Sequence, residues 1–224
     1  MSGLDLGPLA DVRATWLSSL DALGEAVEAF RERDLLAPSR CHGWARVDLL
    51  AHLVAGLEEM LHGVTAPVDT PPDTDAASYW DDFGPEQDPD DAEVLARILQ
   101  GRRRGSATVR PEGIRRELHT VVAAVRGATV DFDDRARFFQ ERVLGAADFL
   151  AIWVLEVVVH HLDLDPDGVL PPPPAEALAM TRRILAARAA APLPEGDDVR
   201  LVLAGTGRIP VPEEWAGLGL PVLG

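Results

Sequence analysis

The chain contains no lysine and a single cysteine, Cys41. All 21 basic residues are therefore arginines, set against 37 acidic ones, for a net charge of −16. That shortage of positive charge argues against a nucleic-acid partner, because phosphate contacts need clustered cations. It also disfavours an anionic membrane surface. One cysteine cannot form an intrachain disulfide, which suits a reducing compartment. Long apolar runs are missing too: "FLAIWVL", the longest, falls far short of the roughly 20 residues a spanning helix needs. The opening "MSGLDLGPLADV" has neither a basic start nor an apolar centre, so no signal peptide is expected. These absences together predict a cytoplasmic protein with no membrane or nucleic-acid partner.

What is present is helical patterning. Leu9, Val12, Trp16, Leu20, Leu23, Val27 and Phe30 recur at three- and four-residue steps, which predicts a long amphipathic helix from about Leu9 to Arg33. "APSRCHGW" breaks it with a proline and a glycine, and "ARVDLLAHLVAGLEEMLHG" predicts a second helix. Residues 64–90, rich in Pro, Asp and Thr, read as a long loop with a short turn at "AASYWDDF". A helical region from about Asp91 to Arg126 is interrupted near "GSATVRPEG", and "VDFDDRARFFQERVLG" reads as irregular. A further helix runs from about Ala146 to Leu162 and stops at "DPDGVLPPPP", which prolines cannot continue. The tail offers a short helix, "AEALAMTRRILAARAAA", and then "VRLVLAGTGRIPVP", read as a β-hairpin around Gly205-Thr206-Gly207. A lone hairpin is marginal in water, so it should pack on the helices or close a homodimer. The expected fold is mainly α: a four-helix bundle over residues 1–165 and a small α/β extension, helix plus hairpin, over 171–224.

The chemistry is concentrated in "VLEVVVHHLDL" (Val154 to Leu164), a helix apolar nearly all round and hence buried. Glu156 and His160, four apart, lie about 40° and about 6 Å from each other, on one face. A buried carboxylate needs an opposite charge. No basic side chain occurs between Arg142 and Arg182, so the partner comes from elsewhere or is a metal ion. His52 stands among apolar residues in "LLAHLV" on the second helix. If the two helices are neighbours, two imidazoles and a carboxylate converge. That is the ligand set of a catalytic zinc site with an open fourth position. The plainer alternative is a buried ion pair among core residues.

"RCHGWARVDLLAHL" (Arg40 to Leu53) and "EVVVHHLDL" (Glu156 to Leu164) resemble two blocks of the mycothiol-dependent maleylpyruvate isomerase N-terminal domain family, within the DinB-like superfamily. In those blocks a Cys-Pro-Gly-Trp precedes Asp-Leu-x-x-His-Leu, and Glu and His four apart precede Asp-Leu. The resemblance implies a DinB-like bundle holding a divalent metal, usually Zn²⁺, through His52, Glu156 and His160. It implies mycothiol as thiol co-substrate, a small electrophilic substrate, and isomerase or S-transferase chemistry. His42 departs from the family's proline. The family's isomerase also uses an arginine from its C-terminal part, for which Arg208 in "GTGR" is the candidate substrate-binding residue here. The other reading is a metal-binding bundle without catalysis, a sensor or assembly module.

The remaining polar residues have narrower readings. Asp163, three beyond His160, either supports the imidazole from behind or belongs to the helix end. His161 is turned about 100° from His160 and faces a neighbouring helix or solvent. His62 and His119 read as surface residues. Cys41 reads as a small packed side chain rather than a nucleophile, for want of a partner base. The arginines of "GRRRG" (Arg102 to Arg104) read as salt links at a helix end, and Trp44 as a staple for the second helix.

Overall fold

Four long helices carry the stripes expected of a bundle. In α1 (Leu9–Ala29), Val12, Trp16, Leu20, Leu23 and Val27 are buried, and so are the hydroxyls of Thr15 and Ser19, which bond back to the carbonyls of Asp11 and Thr15. The others are α2 (Arg46–Val64), α4 (Glu112–Ala128) and α5 (Ala146–Leu164). α1 packs on α5 and α2 on α4, while contacts of α2 with α5 and of α1 with α4 close the ring. α3 (Ala92–Ala107) lies against α2. The computed structural model describes residues 4–82 and 92–223. The far end of the expected 64–90 loop and the Asp91 start of the third helical region lie outside the described residues.

The break between α3 and α4 falls at "TVRP", inside the expected interruption. "GRRRG" does two things there. Arg104 bridges Glu58 and Glu117, as expected of a salt link. Gly101 and Gly105 let α3 approach α2 closely: a Cβ at either would come within 3.3 Å or less of Asp48. The turn within the long loop is a one-turn 3₁₀ helix, Ser78–Asp82.

Two corrections concern strands. The segment read as irregular is a hairpin of β2 (Ala136–Phe139) and β3 (Arg142–Leu144), with β1 (Pro67–Val68) antiparallel on the other side of β2. Phe138 pairs with Val143, and Arg137 pairs with both Leu144 and Pro67. Its turn residues, Gln140 and Glu141, are left-handed at φ 48° and 62°. Such positions normally carry Asn or Gly, so the usual turn signal was absent. Conversely, the tail holds no hairpin among the described residues. "VRLVLAG" is the end of α7 (Asp198–Gly205), capped by Asp197, whose side chain accepts from the Arg200 amide, and packed on α6 (Ala175–Arg188). Gly205-Thr206-Gly207 is the helix C-terminus: Gly207 is left-handed at φ 70°, and the Arg208 amide reaches back to the Leu203 carbonyl. Burial of Leu201, Val202 and Ala204 overrides the strand preference of the β-branched residues. The strand edge that a second copy could have joined is therefore missing from the tail. The mainly α architecture with a small sheet stands, the sheet being built from residues between the bundle helices.

Arg46 registers the two helices that matter. It is buried, donates from Nε to the Leu164 carbonyl (2.7 Å) and from Nη1 to the Asp34 carbonyl, and lies under the Phe30 ring. The start of α2 is thus tied to the end of α5, so the helices run antiparallel. His52, six residues into α2, comes level with Glu156 and His160, eight and four residues before the end of α5.

At the other end of α5, burial pushes the Asp148 carboxyl up to about 6, aided by nearby Asp75 and opposed by the hydrogen bond from the Ala76 amide. The folded protein thus holds this proton more tightly than the unfolded chain, so stability falls as pH rises from about 4 to about 6.5. Asp148→Asn stays neutral and keeps the acceptor for Ala76. It should gain on wild type by on the order of 1–2 kcal/mol between pH 4 and pH 7.5. Urea midpoints at the two pH values measure this, and a pH-independent difference would refute it.

Candidate metal centre

The side chains singled out from the sequence meet at one place. His52 Nε2 lies 3.3 Å and His160 Nε2 3.2 Å from Glu156 Oε1, and the two imidazole rings stand edge to face at 5.0 Å. The three donor atoms lie within 4.8 Å of one another. Among the described residues, no arginine pairs with Glu156. Burial works to raise its pKa, but the His160 and His52 imidazoles outweigh that and hold it well below the usual carboxylate range. Burial disfavours charge on His160 as well; Glu156, Asp163 and Cys41 together push it well above the usual histidine value.

His160 is held from behind. Its Nδ1 faces Asp163 Oδ2 at 3.0 Å, and the Asp163 side chain is fully buried. A proton fixed on Nδ1 leaves the Nε2 lone pair on the side of His52 and Glu156. Asp163 Oδ2 also accepts from Cys41 Sγ (3.3 Å) and from Arg208 Nε (3.4 Å). Cys41 therefore does have polar partners, a relation across 122 residues that its flanking sequence does not reveal. With His160 and Asp163 it makes a second, overlapping group of metal-capable donors. His161 is buried and bonds the Pro171 carbonyl through Nε2, away from the centre. His119 pairs with Glu28 at the surface, and His62 is exposed.

The centre opens on a cleft of about 750 Å³. Trp44 stands edge-on to His52 at 5.3 Å, so it walls the site as well as bracing α2. Arg40 and Arg208 bring positive charge. Arg208 Nη1 donates to the Thr206 carbonyl, while its Nη2 bonds no described residue. The Schellman turn ending α7 is what places Arg208 here. Another groove, of about 690 Å³ along α4, is lined by Glu58, Arg110, Arg116 and Glu117 and brings no imidazole or thiol.

The donor set fits a divalent cation. Two imidazoles and a carboxylate with buried support on one ring suit zinc, and the cleft leaves room for a further ligand. Fold and site thus define a helical bundle with a metal-capable centre between facing helices. The sequence profile of the mycothiol maleylpyruvate isomerase N-terminal domain family matches residues 16–165, and the chain belongs to that family. A crystal structure of the mycothiol-dependent maleylpyruvate isomerase is similar, with TM-score 0.57 and 17% identity over 84% of this chain and 71% of that one. A second, of a histidine-to-alanine mutant, gives TM-score 0.63 and 16% identity over 93% and 92%. At such identities the likeness concerns the fold. No curated protein matches the chain. Among the described residues no helix is long and apolar enough to cross a membrane.

Proposed function

We propose that the chain is a metal- and thiol-dependent enzyme, an isomerase or S-transferase, with His52, Glu156 and His160 holding a divalent cation, Zn²⁺ by donor type. The carrying observation is the convergence of those three donors, from two helices about a hundred residues apart, at the edge of a cleft large enough for a small molecule. The chemistry such an ion supplies is to stand in for a thiol proton, so that sulfur is a thiolate at neutral pH. In this reading residues 1–165 form the metal-binding bundle, and 171–224 the extension that lends Arg208 to the cleft.

The chain's own groups divide the remaining work. Asp163 keeps the Nδ1 proton of His160 and so fixes the ring. Arg208, anchored through Nε and Nη1, offers Nη2 to an anionic group, such as the carboxylate of a small electrophile. Trp44, Trp153 and Leu155 exclude water around the reacting atoms. The thiolate sulfur adds to an activated double bond of the electrophile, whose π electron pair passes to the conjugated carbonyl. Expulsion of the same thiolate after rotation about the resulting single bond returns that pair and gives an isomer, whereas retention with uptake of the proton the thiol gave up gives a thioether. Mycothiol is the thiol that family membership favours.

The test is a thiol panel. Zinc- or cobalt-loaded protein is titrated with mycothiol, bacillithiol and glutathione, and binding is followed by calorimetry and by the cobalt absorption spectrum. Mycothiol is expected to bind and perturb the spectrum, and His52→Ala to abolish both responses. Protein that keeps its metal yet binds none of the thiols would make it a non-catalytic metal-binding bundle.

A further inference from the structure

The acid that orients His160 gathers a second set of donors around itself. Asp163 Oδ2 lies 3.0 Å from His160 Nδ1 and 3.3 Å from Cys41 Sγ, and the three residues bring their donor atoms within 4.8 Å of one another. The two sets use opposite sides of one ring. Glu156 meets His160 at Nε2, whereas Asp163 meets it at Nδ1 and brings Cys41 with it. In a tetrahedral zinc site, with bonds of about 2.0–2.3 Å, neighbouring donors stand about 3.4–3.6 Å apart. The two measured pairs need to open by only a few tenths of an ångström to reach that spacing.

In the metal-free protein, protons hold these atoms together. One on Cys41 Sγ and one on His160 Nδ1 both point at a single carboxylate oxygen. A dication that replaces the two protons leaves the net charge of the cluster unchanged. It would share the imidazole with a cation on Nε2, and the two ions repel, so this position fills second and more weakly. Asp163 has a further oxygen to give. Its side chain is fully buried, and Oδ1 accepts no hydrogen bond from any described residue. Cys41, half-buried where it lines the cleft, leaves an ion a way in. Sulfur is what separates the two positions chemically. His52, Glu156 and His160 offer nitrogen and oxygen alone, while a thiolate selects a soft ion.

The protein already sets a positive charge against this cluster. Arg208 Nε reaches the same Asp163 oxygen at 3.4 Å, so guanidinium and metal ion compete for one carboxylate. We infer that Cys41, Asp163 and Nδ1 of His160 form a second, weaker site for a thiophilic dication, Zn²⁺ in excess or Cd²⁺, with Arg208 as the built-in competitor that limits its filling. The site does not rest on the thiol reading above.

Cadmium titrated into zinc-loaded protein of measured zinc content tests it. The ultraviolet sulfur-to-cadmium charge-transfer band reports this site alone, because the first has no sulfur and Cys41 is the one cysteine. Wild type should develop the band and saturate at about one equivalent. His160→Ala should lose it at the same cadmium concentration, since removing one donor costs on the order of 100-fold in affinity. Arg208→Gln should bring the midpoint to about tenfold lower cadmium, because the competing charge is gone. Absence of the band in wild type refutes the site. So does a band whose midpoint neither variant moves, for then the thiol binds cadmium by itself. Circular dichroism checks that His160→Ala is folded, and Arg208→Gln decides alone if it is not. Wild type that arrives without zinc yet develops the band keeps this site and loses the first, so the two assignments fail separately.

Discussion

His52→Ala and His160→Ala, purified without chelators from metal-supplemented cells, are expected to carry less than about a tenth of an equivalent of zinc, where wild type carries about one. The reasoning is a count of donors. Structural four-ligand zinc sites are worth roughly 10–16 kcal/mol, so one ligand of a smaller set is worth about 3 kcal/mol, on the order of 100-fold in affinity. A site left with one imidazole and one carboxylate would not retain metal through purification. Glu156→Gln should weaken binding by a similar factor for a different reason. The amide keeps the shape but offers a neutral oxygen in place of an anionic one. It also removes one of the two carboxylates that face the His160 imidazole, a side chain only 8% exposed, and leaves Asp163 alone to answer its charge. That variant should therefore lose stability even in metal-free protein, whereas His52→Ala, whose side chain is 32% exposed, should not lose it to the same degree. Elemental analysis with urea denaturation of the metal-free forms separates the two effects. Full metal content in either histidine variant would end the assignment.

These three residues were legible because each breaks a pattern. A histidine inside "LLAHLV" and a Glu-x-x-x-His inside a run of valines have no ordinary place on an apolar face. Burial bookkeeping alone therefore asks for a partner, and the helix period says which side chains share a face. The same logic located the long helices, since their apolar spacing is strict. It failed where the deciding interaction is distant in sequence. Cys41 finds Asp163 across 122 residues, and Gln140 finds Glu59 across 81, with nothing local to announce either contact. It failed also where a local signal has two meanings. Gly-Thr-Gly after "VRLVLA" serves equally as a hairpin turn and as a helix C-terminus. The choice is made by Asp197 at the N-cap and by the α6 surface that α7 covers. Gln140-Glu141 is the reverse case, a hairpin turn written in residues that rarely make one.

Asp163→Asn is the second substitution expected to act strongly, although Asp163 is not among the three donors. A carboxylate at this position can only accept, so it keeps the proton of His160 on Nδ1 and leaves Nε2 free for a cation. An asparagine can turn its amide toward His160 and donate to Nδ1, which moves the proton to Nε2 and closes the imidazole to metal. Supporting groups of this kind are worth about 10–100-fold in metal affinity, and Asp163→Asn is expected in that range. The same oxygen also holds Cys41 and Arg208, so a second consequence separates support of the imidazole from general disruption. Arg208→Gln removes only the partner from the tail and should lower metal affinity by no more than a few-fold. Asp163→Asn should lower it by the full factor while α5 keeps its helicity. Competition with a chromophoric chelator gives both affinities, and far-UV circular dichroism reports the helix. Equal, small losses in the two variants would mean that Asp163 serves the packing of the tail and not the orientation of His160. Its buried Oδ1, which accepts no hydrogen bond from any described residue, argues the other way. A carboxylate so placed, fully buried with one oxygen unsatisfied, costs the fold free energy. Its three contacts through Oδ2 answer that cost most directly if one of them orients a metal ligand.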